Sequence, residues 1–385
     1  MNQKKLKITI LLLALVQMGP IFMAPIINIL IEQFPQYQPS FCQMLMTFPN
    51  LVVVLMSILT GKLDAMITKK HLTVFACLSI LVGGLGLFLC HTHLSIMFIF
   101  SGLIGVGVGI LLSLTATIIS QYFTPDQQGK LYGLQNAFTS VGGMLLNLLG
   151  GFLASIAWYF DFLAPLIIIP ALIMSLIAVP NKKGQQPKKV QNKQKLPPLV
   201  YFYCLIAFMF TLVFNTMPTN LAIFIGERQL GNSSFSGIIT ATVLCGGAAA
   251  GMLFNQLNQK IGEKTIAVGF FNLSAGLLIA SQATTAPVLF IGAFVGGCSI
   301  SLLMSQLTLS TSTKIHPLVT PMAMSLLMAA NNLGNFISPF IFSLLPGQTV
   351  AQRFFFVAIF GFVIAGGLAI ILKKDAHASL SNSEI

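Results

Sequence analysis

Charge is scarce in this sequence. Only 7% of its 385 residues are charged, where an average soluble protein carries roughly 25%. Eight carboxylates and 20 basic side chains cannot furnish the surface of a soluble fold of this size. With 56% apolar residues and a mean hydropathy of +0.89, disorder and fibrous repeats are excluded and an integral membrane protein is implied. The six cysteines form no C-x-x-C pair and no loop cluster. That excludes a disulfide-stapled domain and leaves them as small apolar residues. H-E-x-x-H, G-x-S-x-G and Walker sequences are absent, so protease, hydrolase and ATP-driven pump chemistry find no support. His91 and His93, two apart and with no carboxylate beside them, make a poor metal site. No enzyme activity, cofactor or metal is expected. The net charge of +12 does not imply nucleic acid, because the basic residues lie between apolar runs and are not interleaved with aromatics on one face.

What the chain has instead is long apolar runs. They fall near 8–31, 41–60, 72–90, 96–120, 131–156, 162–180, 199–225, 235–254, 265–281, 287–312, 322–345 and 354–372. A membrane helix needs about 20 residues, so the pattern predicts twelve transmembrane helices. Lys4, Lys5 and Lys7 precede the first run, which is too long for a signal peptide and lacks a small-residue cleavage site. It reads as a retained first span. Twelve spans put both termini on one side. Eighteen lysines fall on that side, and only Arg228 and Arg353 fall on the other. The positive-inside rule then makes both termini cytoplasmic, in a plasma membrane of bacterial type.

Residues 181–198, NKKGQQPKKVQNKQKLPP, are the only long polar stretch inside the chain and read as a cytoplasmic linker. They divide it into six-helix halves at 1–180 and 199–385. The halves repeat weakly at an offset of 192 to 195: Gly105 matches Gly297, Pro125 matches Pro317, Gly142 matches Gly334, and Glu32 matches Glu227. Duplicated six-helix halves point to a secondary-transporter architecture.

The loop between spans 2 and 3 reads GKLDAMITKK at 61–70, and the second half repeats it as NQLNQKIGEK at 255–264. These resemble the G-x-L-x-D-R-x-G-R-K loop of the major facilitator superfamily, and the chain resembles that family over its full length. Gly61, Leu63, Lys69 and Lys70 match, with Ala65 at the Asp position and Asp64 one residue early. In the second copy Lys260, Gly262 and Lys264 match, with Gln259 in place of Asp. The resemblance implies that both loops latch the cytoplasmic side; solvated turns are the plainer alternative. GLQNAFTSVGGMLLNLLGG at 133–151 is similar to the family's exporter motif at Gly133, Gly142, Gly150 and Gly151, with Ser338-Pro339 at the matching place in span 11. Tight helix packing alone would also explain these small residues. Ser101 stands where the family's span-4 arginine is expected.

Every carboxylate falls in a loop or at a span end on this reading: Glu32, Asp64, Asp126, Asp161, Glu227, Glu263, Asp375 and Glu384. A permanently charged substrate would then meet no buried counter-ion, which is costly. The expected substrate is a small neutral, zwitterionic or hydrophobic solute. Polar uncharged residues must recognise it, and the resemblance implies that spans 1, 4, 7 and 10 line the path. Candidates are Gln17, Asn28, Asn50, Gln135, Asn136, Thr139, Asn215, Asn220, Ser305, Gln306, Asn331, Asn332 and Asn335. Bonding from helix to helix is the alternative role for each. Asn331 and Asn335 share a helix face at i, i+4. Pro20, Pro25 and Pro218 are placed to unwind spans 1 and 7. Glu32, Asp161 and Glu227 are the proton acceptors available from outside, with solvated caps as the alternative. The expected activity is alternating-access transport, with efflux favoured, and the expected partners are the small-molecule substrate and the bilayer, with the protein a monomer. Uptake of a neutral metabolite and ligand sensing without transport remain open.

Overall fold

The computed structural model describes residues 3–183, 196–315 and 319–381. Most of the expected linker, 184–195, lies outside them. The described residues are almost wholly helical and contain no strand. Ten helical stretches among them are long and apolar enough to cross a membrane. One, Ser233–Ser281, has 49 residues, about 74 Å at 1.5 Å per residue and far more than one hydrocarbon layer of about 30 Å. It is two helices joined at the turn Gly262–Lys264, where Gly262 has φ +54°.

Span 1 is broken. α1 (Gln3–Ala14) gives way to a turn, a 3₁₀ segment at Gly19–Ile26, and then α2 (Ile27–Gln33). Pro20 and Pro25 cannot donate backbone hydrogen bonds, so the chain tightens to i→i−3 pairing, as from the Gly19 N–H to the Val16 carbonyl at 2.9 Å. α3 (Pro39–Met66), α4 (Lys69–Leu89), α5 (Leu94–Tyr122) and α6 (Pro125–Ala154) follow. A second 3₁₀ segment, Trp158–Ile168 around Pro165, leads into α7 (Ile169–Ala178). The expected unwinding of span 7 amounts to one residue: α8 (Pro198–Phe214) and α9 (Thr216–Glu227) meet at Asn215. Then come α10 (Ser233–Ile261), α11 (Thr265–Ser281), α12 (Ala286–Lys314), α13 (Thr320–Leu344) and α14 (Val350–Ser381).

The chain clusters into two compact units. The first holds α1–α7 together with residues 231–241 and 335–339, and the second holds most of the remainder. In the first, α5 packs between α3 and α4, and α6 packs on both 3₁₀ segments. In the second, α11 packs between α12 and α14. Leu55, Ile58, Ile99, Phe152 and Val363 are exposed, as lipid-facing positions require. Cys42, Cys77 and Cys204 are buried among apolar residues, but Cys245 is exposed.

The internal repeat recurs in the packing. A Cβ on Gly142 of α6 would overlap the Leu15 backbone at the break in span 1. A Cβ on Gly334 of α13 would lie 2.6 Å from the Phe208 carbonyl of α8. Each glycine therefore lets one helix approach its partner's backbone, and the two contacts sit at equivalent places in the two units.

Candidate functional site

The turn after α1 places Gln17 inside the first unit, 6% exposed. Its Nε2 donates to Thr115 Oγ1 of α5 at 3.1 Å, and its Oε1 accepts from Gln135 Nε2 of α6 at 3.1 Å. Gln135 Nε2 also donates to Thr115 Oγ1 at 3.1 Å, and Thr139 Oγ1 reaches Gln17 Oε1 at 3.4 Å. Thr115 donates its own proton to the Leu111 carbonyl at 2.7 Å, so its hydroxyl makes one donated and two accepted bonds. That fills its capacity. Three elements thus meet in one uncharged polar cluster, in an interior where an unpaired amide is costly.

Thr115 is the member that sequence reasoning missed, because TATIIS looks like ordinary apolar helix with two small hydroxyls. Thr115→Val leaves both glutamine amides without this acceptor and should destabilise the protein by about 1–3 kcal/mol, whereas Thr115→Ser should behave as wild type. Chemical unfolding titrations of purified protein would read the difference.

The second unit has a polar seam at the matching place. Thr211 Oγ1 of α8 donates to the Asn331 carbonyl of α13 at 2.9 Å. Asn220 is buried, and its Nδ2 donates to the Thr216 carbonyl at 2.8 Å and to Thr219 Oγ1 at 3.0 Å. Gln306 Nε2 donates to Ser310 Oγ at 3.1 Å, while its buried Oε1 has no partner among the described residues. Asn215 is buried at the junction of α8 and α9. Asn50, Ser305, Asn331 and Asn335 are half-buried. Asn136 is exposed. Asn28 Nδ2 donates to Glu32 Oε1 at 2.8 Å, and Asn332 Nδ2 to the Met328 carbonyl at 2.9 Å. Ser101 is buried and donates to the Leu45 carbonyl at 2.6 Å, tying α5 to α3.

At the motif loop between α3 and α4 the carboxylate displaced by one residue still finds its partner. Lys69 Nζ lies 2.6 Å from Asp64 Oδ2 and is wholly buried, and the Lys69 N–H donates to the Lys182 carbonyl at 3.0 Å. Lys70 is half-buried and Gly61 exposed. In the second unit Lys260 and Lys264 are exposed, and the interacting residue is Glu263. It accepts from Tyr203 Oη at 2.7 Å and from Lys314 Nζ at 2.6 Å. Partial burial would raise the Glu263 carboxyl, but the hydrogen bonds from Lys314 and Tyr203 outweigh it and hold it below the ordinary carboxylate range. A depressed carboxylate stabilises the fold above its unfolded value and loses that contribution as pH falls through its folded value. Lys314 is 49% exposed, so Glu263→Gln should flatten the acid limb of the stability profile by less than about 1 kcal/mol.

One expectation is corrected. Asp161 does not end a loop as a solvated cap. It lies within the membrane-spanning stretch Trp158–Ala178 and is fully buried. The 3₁₀ segment begins at Trp158 and carries the carboxylate inward. Glu227 is exposed and accepts from the Val350 N–H at 3.0 Å. Pro339 is buried inside α13.

The family model of the Major Facilitator Superfamily matches residues 8–317. No curated protein matches the chain. Among solved structures, the chain is similar to peptide transporter POT in complex with sulfate, at 12% identity and TM-score 0.77, covering 96% of this chain and 94% of that one. It is similar to a variant of the nucleoside transporter NupG, at 14% identity and TM-score 0.74, with 94% and 98% covered. It is similar to a bacterial homolog of the human lysosomal transporter Spinster, inward-facing and occupied, at 13% identity and TM-score 0.73, with 97% of each covered. These likenesses establish a shared fold, and the family match over most of the length establishes membership: the chain belongs to the Major Facilitator Superfamily.

Proposed function

We propose that the protein moves a small neutral or hydrophobic organic solute across the plasma membrane by alternating access, in the direction of efflux. The observation that carries this is the Gln17–Thr115–Gln135–Thr139 cluster, which offers amide and hydroxyl groups and no formal charge. A solute bound here must replace these internal hydrogen bonds with its own, which an uncharged polar solute can do, whereas a charged one would find no counter-ion. In the second half Asn220, Gln306 and Asn331 supply the matching groups. The twelve-span topology, the halves at 1–180 and 199–385, cytoplasmic termini and a monomer are part of the same reading. A reporter fused at residue 190 should then report cytoplasm.

The resemblance of the α6 glycines, Gly133, Gly142, Gly150 and Gly151, to the family's exporter motif favours efflux, and Gly142 and Gly150 pack closely on the broken spans. Uptake is the second reading, since the same cluster would serve a solute entering from outside. The test is a thermal-shift comparison of purified protein with a nucleoside, a zwitterionic dipeptide, an apolar amine-free dye and inorganic sulfate. Stabilisation by neutral probes, followed by their counterflow in proteoliposomes, is expected. Stabilisation by sulfate alone would refute the uncharged site. Accumulation in right-side-out but not everted vesicles would replace efflux with uptake.

A further inference from the structure

Of the three external carboxylates, two are engaged: Glu32 by the Asn28 amide and Glu227 by the Val350 N–H. Asp161 is different. It is 0% exposed, and neither carboxylate oxygen has a hydrogen-bond partner among the described residues. Aromatic rings pack along the same segment: Phe22 and Phe162 meet edge to face at 6.4 Å, and Trp158 packs on Phe162 at 5.9 Å. Asp161 Oδ1 points at Gly150 of α6, where a Cβ would collide with it and would lie 3.0 Å from the Phe22 carbonyl.

The elements packed on Trp158–Ile168 are α4, α6, α7 and the 3₁₀ segment Gly19–Ile26. The latter two carry no titratable residue, and α6 carries Asp126, Lys130 and Tyr132, all near its opposite end. α4 offers Cys77 in its middle and Lys69, Lys70 and His71 at its far end. On the near side, Tyr159 is stacked on His91 at 4.2 Å. Among the described residues no cation is paired with Asp161, and an ionised carboxylate buried without donors is strongly disfavoured.

Gly150 has a neighbour with a second contact. The Gly151 carbonyl accepts from Ser234 Oγ of α10 at 3.0 Å, and a Cβ on Gly151 would lie 2.9 Å from the Ser233 carbonyl. One step of α6 thus covers Asp161 on one side and joins the start of α10 on the other. A shift of α6 that wets Asp161 also parts Gly151 from Ser234.

We propose that Asp161 is a proton-binding site that gates this seam. With α6 seated, Asp161 is the neutral acid. When the seam opens, the carboxyl O–H bond breaks, the proton passes to external water, and the carboxylate left behind is hydrated and holds the seam open. The proposal rests on the alternating-access reading and names its coupling ion.

The test needs no substrate. Ser234→Cys in a cysteine-free background is labelled with a membrane-impermeant maleimide from outside, with Asp161 intact and with Asp161→Asn. Taking the ratio of the two rates cancels the thiol's own pH dependence. The ratio should rise by roughly tenfold per pH unit across the window in which Asp161 titrates, with Asp161→Asn staying slow throughout. Infrared spectra should show a carboxylic-acid C=O band at neutral pH that Asp161→Asn removes; Asp161→Ser replaces it if the amide does not fold. A ratio that is flat with pH, or the absence of that band, overturns the proposal and leaves the transport reading intact. Failure of every solute in counterflow, with ratio and band as expected, would sink the transport reading alone.

Discussion

Replacing Lys69 by methionine should cost about 3–5 kcal/mol of stability, the penalty for leaving a buried charge without its partner. Lys69 is wholly buried and Asp64 is 7% exposed, with 2.6 Å between Nζ and Oδ2. The double variant Lys69→Met with Asp64→Leu should recover most of the loss, because well-packed apolar residues often match a buried ion pair. A double-mutant cycle by chemical unfolding measures the coupling. If Lys69→Met is neutral, the pair is solvated in solution and the latch role falls with it. The stem of Lys69 also fills space at the start of α4, so Lys69→Ala should cost more than Lys69→Met.

Gly142→Val should abolish transport and lower stability by about 1–3 kcal/mol or more, through overpacking at a point with no slack. The Cβ would overlap the Leu15 backbone, where span 1 is already out of helical register. Retreat of α6 would pull Gln135 and Thr139 away from Gln17, so packing and polar pairing fail together. Gly334→Val should act alike in the second unit against Phe208. Gly61→Ala is the control, since nothing lies within 4 Å of its added methyl, and its effect should stay within about 0.5 kcal/mol. Transport and unfolding measured on the same preparations separate a folding defect from a blocked cycle.

The helical membrane fold was legible because long apolar runs are a strong, redundant signal. The break in span 1 was legible too, since Pro20 and Pro25 remove backbone donors wherever the helix sits. Pro218 carries the same local signal but leaves α9 intact, because a proline near the first turn of a helix costs little. Gln17, Gln135 and Thr139 were found as isolated polar residues in apolar runs. Their convergence was not legible, since it depends on how three helices pack. Thr115 stayed hidden because threonine sits unremarked in any membrane helix. The burial of Asp161 was not legible, because nothing local in the sequence reveals a 3₁₀ entry to the span. Asp64 looked misplaced in a linear motif, yet a one-residue shift at a helix end is within reach of a lysine side chain.

The cluster around Gln17 has a consequence for biogenesis. Its four side chains all lie between residues 17 and 139, so the pairing partners are complete before the second half of the chain has been synthesised. A ribosome-bound chain entering the bilayer would otherwise present two glutamine amides to lipid. Closing the cluster early hides them. The first part of the chain can thereby leave the insertion machinery with these amides already paired, before the rest has been made.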